Sequence, residues 1–139
     1  MKSIIIAIFF ALTLCACNEP KEISADQVAV AFFDALYNQK DIKQATSYCT
    51  PDFAKQLTQY RTAQNAARRL FNMSFDSTKI DAALADFKVR EEFNTTGKLT
   101  ILFTGDRHGK TYKELKSIKM VKKGQTWLVD ELLKDPIAS

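Results

Sequence analysis

The chain has 139 residues, a formal net charge of +4 and charges of both signs, which excludes a second sizeable domain and the strong basic field of a nucleic-acid binder. Of its three cysteines, Cys15 and Cys17 lie in the amino-terminal segment read below as a leader and lipid anchor, which leaves Cys49 with no partner for an internal disulfide. Packing alone has to hold the fold.

The first element is an apolar run from Ile4 to Leu14 behind Lys2, closed by Asn18, Glu19 and Lys21. A permanent membrane span needs about 20 apolar residues, so this shorter run reads as a secretory leader. Leu14-Cys15-Ala16-Cys17 resembles the bacterial lipobox, with an aliphatic residue three places and a small residue one place before the modified cysteine. Cys17 fits that pattern; Cys15 fits worse, because Leu14 stands where a small side chain is needed. The resemblance implies removal of residues 1–16, a diacylglyceryl thioether on Cys17 and attachment to a membrane. If the cell has two membranes, Asn18 favours the outer one, with the domain facing the periplasm. Two or three acyl chains, at about 0.8 kcal/mol per buried methylene, make such an anchor effectively permanent.

Removing the leader leaves 123 residues, enough for one core. Cys49 is then the only thiol left in the domain, and it reads as a small buried hydrophobe. Residues 17–23 form a lipidated cysteine and polar tether, 24–134 a single domain and 135–139 a tail. Ser24 with Gln27 is a capping-box pattern, followed by Val28, Ala31, Phe32, Ala35 and Leu36 at helical spacing. Phe33 and Tyr37 widen the apolar surface, so this first helix should be covered on more than one face. Asp41 with Gln44 starts a short second helix that ends near Cys49. Thr50-Pro51 starts a third, which the apolar spacing of Phe53, Leu57, Tyr60, Ala67 and Phe71 carries for about five turns. Residues 72–77 break it, and Ile80 to Ala85 is compatible with one more helical turn, although Asp81 and Asp86 interrupt it.

From Phe87 the period falls to two. Phe87, Val89 and Phe93 suggest one strand and Leu99, Ile101 and Phe103 a second, with turns at Asn94–Gly97 and Gly105–Gly109. All four glycines, Gly97, Gly105, Gly109 and Gly124, fall between expected strands. The third strand, Thr111 to Lys122, changes apolar parity between Leu115 and Ile118, which a bulge near Lys116 or Ser117 would repair. In the last strand Trp127 and Val129 share a face.

The expected class is therefore α+β: three amino-terminal helices packed in a bent antiparallel meander of about four strands. Three segments, Val28–Tyr37, Asp41–Pro51 and Met120–Val129 with its Gly-x-x-Trp hairpin, resemble the small bacterial lipoproteins of the nuclear transport factor 2-like, or cystatin-like, superfamily. That resemblance implies a cone in which the bent sheet wraps the long helix. Many such cones bind small ligands and some are isomerases or dehydratases; fold does not decide which.

The residues themselves give little chemistry. Tyr37, Tyr48, Tyr60 and Tyr112 are candidates for pocket lining. Arg61, Arg68 and Arg69, seven and eight places apart on the third helix, are candidates for a face that meets an acidic partner. His108 lies in a polar turn, and Asp34 on a narrow polar stripe suited to capping. With no phosphate loop, metal-spaced His/Cys cluster or nucleophile elbow, no cofactor, metal or catalytic residue is expected. The reading that follows is a membrane-anchored envelope lipoprotein, held through Cys17, with a non-enzymatic domain for a small molecule or an envelope protein and none for nucleic acid. The alternatives are an isomerase- or hydrolase-like enzyme using the cone, or an immunity or structural protein. A buried Asp or Glu facing a tyrosine inside a pocket would favour the enzyme, and a sealed, fully apolar interior would sink both the enzyme and the small-ligand readings.

Overall fold

Ser24 closes the capping box that starts α1 (Ala25–Tyr37): its hydroxyl accepts from the Gln27 amide at 3.4 Å, and its own amide donates to Gln27 Oε1 at 3.1 Å. The computed structural model, which describes residues 23–82, 90–92 and 95–133, places this helix at the centre of the molecule. It packs on helices on one side and strands on the other. Phe32 and Phe33, adjacent in sequence, are both fully buried, because each of these two faces needs its own apolar filler.

Asp41 and Thr50 cap the next two helices, α2 (Ile42–Thr46) and α3 (Pro51–Thr58), by accepting the Gln44 and Phe53 amides. The five-turn third helix expected from the spacing is two helices. Arg61 has φ 69°, which a right-handed helix cannot contain. Thr62 then caps a fresh start by accepting the Asn65 amide at 3.1 Å, and Asn65 Nδ2 fastens back to the Tyr60 carbonyl at 3.1 Å. The new helix is α4 (Ala63–Arg69).

The sheet is antiparallel and open, with strand order β1-β3-β4-β5 and a short β2 on the same edge of β3 as β1. Its members are β1 (Ser77–Asp81), β2 (Arg90–Glu92), β3 (Thr96–Arg107), β4 (Lys110–Lys123) and β5 (Thr126–Leu132). The class is α+β, with four helices rather than three among the described residues. Ile80 and Asp81 belong to strand β1, not to a helical turn: Thr78 and Ile80 pair with Gly105 and Phe103, and this cross-strand pairing outweighs the weak helical pattern. Of the expected Phe87–Phe93 strand, residues 90–92 are described and pair with β3. The expected leader, Cys17, the tail and residues 83–89 lie outside the described residues.

Two glycines expected in turns are inside β3. Gly97 pairs with Met120 and Gly105 with Tyr112. The β3–β4 turn is only His108-Gly109, with φ 53° and 76°, the two positive values that a tight hairpin of matching twist demands. Gly105 serves close approach instead: a methyl built there would sit 2.6 Å from Phe75 Cγ.

The bulge also lies elsewhere. β3 and β4 pair without interruption from Thr96↔Val121 to Arg107↔Lys110. Between β4 and β5 the register slips, since Lys119 faces Glu131 while Met120 faces Val129, leaving Asp130 as the extra residue on β5. The parity change in β4 needs no bulge because Leu115 pairs with Leu102 on the face opposite the core. Asp130 is held by the Thr50 hydroxyl, which donates to its Oδ1 at 2.9 Å, and by Lys119 Nζ at 3.8 Å.

Between α1 and the sheet lies an aromatic core. Phe33 meets Phe103 edge-on at 4.9 Å and Phe71 at 5.4 Å, and Phe32 meets Phe33 at 4.8 Å. These rings fill the centre. The outer edge of β5 is closed by the chain after α2: Thr50 N donates to Val129 O, and Val129 N to Tyr48 O, each at 2.9 Å.

Candidate functional site

With its centre filled by phenylalanines, the domain keeps its open space at the rim. Among the described residues, one such space is a groove of about 500 Å³ between the first turns of α1 and the β4–β5 hairpin. The capping box fixes α1 so that Gln27, Val28 and Ala31 form one wall. The hairpin lays Gln125 to Leu128 opposite, and Ser47 and Tyr48 close the end. Tyr48 is held there twice, by its carbonyl accepting from Val129 and by its hydroxyl accepting from Gln44 Nε2 at 3.1 Å. Trp127 is nearly buried, and Ile23, which is 59% exposed, stands beside the groove.

None of the lining residues carries a charge, in a chain in which 26% of residues are charged. The size suits a drug-sized apolar ligand, and the polar ends of Gln27, Ser47, Gln125 and Thr126 are available to orient it. Two lysines stand on the β4 arm of this hairpin. Lys122 places Nζ 5.9 Å from the centre of the Trp127 ring, and Lys123 pairs with Thr126.

Two further hollows flank the helix. One, open and about 470 Å³, lies on the other side of α1 among Asp26, Asp34, Ile80 and Asp81. Asp34 is occupied in capping: its two carboxylate oxygens accept from Asn38 Nδ2 and Gln39 Nε2, both at 2.8 Å. The other, about 180 Å³, is bordered by Tyr37, Lys40, Gln64, Arg68 and Asp76. Among the described residues no group of His, Cys, Asp and Glu is arranged to hold a metal ion, and no helix is long and apolar enough to cross a membrane.

The four tyrosines singled out in the sequence do not share a site. Tyr48 lines the groove. Tyr37 borders the hollow of about 180 Å³ but is 97% buried, its hydroxyl sealed from solvent with no hydrogen-bond partner among the described residues, and burial pushes that hydroxyl well above its ordinary pKa. Tyr60 sits half-buried at the α3–α4 link. Tyr112 packs across from Gly105 under the Arg107 guanidinium, 4.4 Å from the ring centre. The arginines divide as well. Arg61 is in the link, whereas Arg68 and Arg69 are exposed in the last turn of α4, where cations suit the helix dipole. Cys17 lies outside the described residues. His108 occupies the first position of the β3–β4 turn.

Of the lining residues only Tyr48 was expected from the sequence; Trp127 reads as a strand residue sharing a face with Val129, and helical spacing assigns Val28 and Ala31 to the core. The available signal was the sole tryptophan, Trp127, beside the Gly124 turn. Comparison of the chain with protein-family models, with curated proteins and with solved structures returns no match.

Proposed function

We propose that the protein is a membrane-anchored envelope lipoprotein, tethered through Cys17, whose domain binds a small, largely apolar molecule in the groove between α1 and the β4–β5 hairpin. The observation that carries the binding reading is the uncharged lining of a groove of about 500 Å³ around the only tryptophan. The same lining favours binding over proton-transfer catalysis, since the Tyr48 phenol is its only titratable group. Helices followed by an antiparallel sheet with a bulge in its last strand agree with the cone of the nuclear transport factor 2-like superfamily. In this reading the cone interior is packed and the ligand sits at its rim.

The binding test uses the neutral probe N-phenyl-1-naphthylamine, with energy transfer from Trp127 as the signal. Saturable transfer that Ala31→Phe abolishes supports the reading; transfer unaffected by filling the groove overturns it. The anchor is tested separately. Mass spectrometry of the mature chain should find acyl mass on Cys17, and Cys17→Ala should release the domain from membranes. Retention of residues 1–16 would refute the anchor.

A further inference from the structure

Beyond a generic apolar ligand, the backbone of the strand that walls the groove specifies a chemical class. In an antiparallel pair, two opposed residues either exchange their backbone bonds or both turn them outward, and the two patterns alternate along the strand. Lys122 donates its amide to the Thr95 carbonyl, on the β3 side of β4, so its pair with Trp127 is one of those turned outward. Trp127 therefore directs its N–H and C=O to the outer edge of β5. Val129, two residues on, does the same, and there the edge is taken: its amide donates to Tyr48 and its carbonyl accepts from the Thr50 amide. Ser47, the residue next in line to pair with Trp127, has helical φ −65° and ψ −18° at the end of α2, so the chain leaves the edge at that point. Among the described residues neither backbone group of Trp127 has a hydrogen-bond partner, and Trp127 lines the groove. An edge left open in this way is a template for one more strand.

The polar side chains of the groove are set to match. Gln27 gives its Oε1 to the Ser24 amide, which leaves its Nε2 hydrogens to donate. The Tyr48 hydroxyl accepts from Gln44 and keeps its own proton, whereas the Ser47 hydroxyl spends its proton on the Gln44 carbonyl at 2.5 Å and is left to accept. A hydrocarbon would leave all of these groups, and both of those on Trp127, without partners. A peptide backbone carries donors and acceptors in alternation. We propose that the groove binds a short extended peptide segment with uncharged, largely apolar side chains, which adds to the edge of β5 and exchanges backbone hydrogen bonds with Trp127. This rests on the groove being a ligand site, as argued above, and names its occupant. The absence of charge from the lining excludes charged side chains from the bound segment, and Val28 and Ala31 cover an apolar one.

The test follows the Trp127 amide of the mature chain by hydrogen exchange in NMR, with a capped pentapeptide of alternating valine and threonine as the probe. Without peptide that amide should exchange far faster than the Val129 amide, which Tyr48 holds. Saturating peptide should slow it on the order of tenfold or more. Two further probes carry N-methyl groups, one on its valine amides and the other on its threonine amides, which lie on opposite edges of an extended chain. One of these should bind on the order of tenfold more weakly than the other, the loss expected for one or two backbone bonds. Equal affinities would overturn the edge pairing. So would a Trp127 amide already protected without peptide: protection at every concentration would mean a bond within the chain, and protection that rises with protein concentration would mean that a second copy takes the edge. Ala31→Phe should abolish the protection of Trp127 by peptide while the Val129 amide stays slow, which reports that the variant is folded; the methylated pair tests the same pairing on the unsubstituted chain. If N-phenyl-1-naphthylamine binds but the peptide gives no protection, the peptide occupant falls and the binding groove stands; if neither binds, both fall.

Discussion

Asn38 treats Thr78 as a neighbouring strand would: its Oδ1 accepts the Thr78 amide at 3.0 Å, and its Nδ2 donates to the Thr78 carbonyl at 2.9 Å. One side chain at the end of α1 thereby satisfies both backbone groups that β1 presents on its outer edge at that point. Asn38→Ala should cost about 1–3 kcal/mol, since it strips two bonds from partly buried backbone. Asn38→Asp loses the donor and sets a second carboxylate beside Asp34, so it should cost at least as much. Urea denaturation gives the ranking, and faster hydrogen exchange at the Thr78 amide gives the location. Equal midpoints for all three proteins would remove the edge role.

Gly105 lies beneath the Phe75 ring, and that ring also packs on Tyr37 at 5.9 Å. Gly105→Ala should destabilise by about 1–3 kcal/mol through overpacking. Phe75→Leu should relieve part of that loss, so that the double variant is less damaged than the two single costs added together. Thermal unfolding of the four proteins closes the cycle; strict additivity would show that the two positions do not meet.

The Tyr37 hydroxyl is buried with no partner among the described residues, and leaving such a group unsatisfied costs about 1–3 kcal/mol. Tyr37→Phe keeps the ring against Phe33 and Phe103 and removes the polar atom. Stability should therefore hold or rise by about 1 kcal/mol. A drop in the denaturation midpoint would mean that the hydroxyl is bonded in solution.

Burial pushes the Cys49 thiol up from 9.0 to about 12, and its Sγ donates to the Ala45 carbonyl at 3.4 Å. Between those two values the folded chain holds a proton that the unfolded chain has lost. The associated stability is whole below about pH 9 and disappears as pH rises through about 12. Cys49→Ala should flatten part of the decline in denaturation midpoint between about pH 8 and about pH 10.5. In the native protein at neutral pH, iodoacetamide should label this thiol far more slowly than in urea, because little thiolate is present.

Local signals were legible wherever a side chain acts on its own backbone neighbourhood. The Ser24–Gln27 box, Asp41 and Thr50-Pro51 mark helix starts, and the shared face of Trp127 and Val129 marks the last strand. The break at Arg61 was not legible. No glycine or proline announces it, and the bond that holds it, from Asn65 to Tyr60, looks like ordinary helix surface in sequence. The bulge was misplaced for a related reason. The parity change that suggested it lies in β4, yet the spare residue, Asp130, is on β5, where Thr50 holds it from 80 positions away. Of the groove, only Tyr48 was expected from the sequence as a lining residue. Tyr48 and Trp127 stand out as residue types, whereas Val28 and Ala31 are indistinguishable in spacing from the core positions beside them.

The two bonds from Val129 to Tyr48 and Thr50 join the chain after α2 to its last strand. Such a contact closes a loop of most of the domain, and loops of that kind slow folding because their entropy is lost before the contact is made. When the chain leaves the ribosome amino end first, α1 and α2 emerge long before β5 arrives. Until then the groove has only one wall, and Phe33 lacks the Phe103 ring that covers it at 4.9 Å.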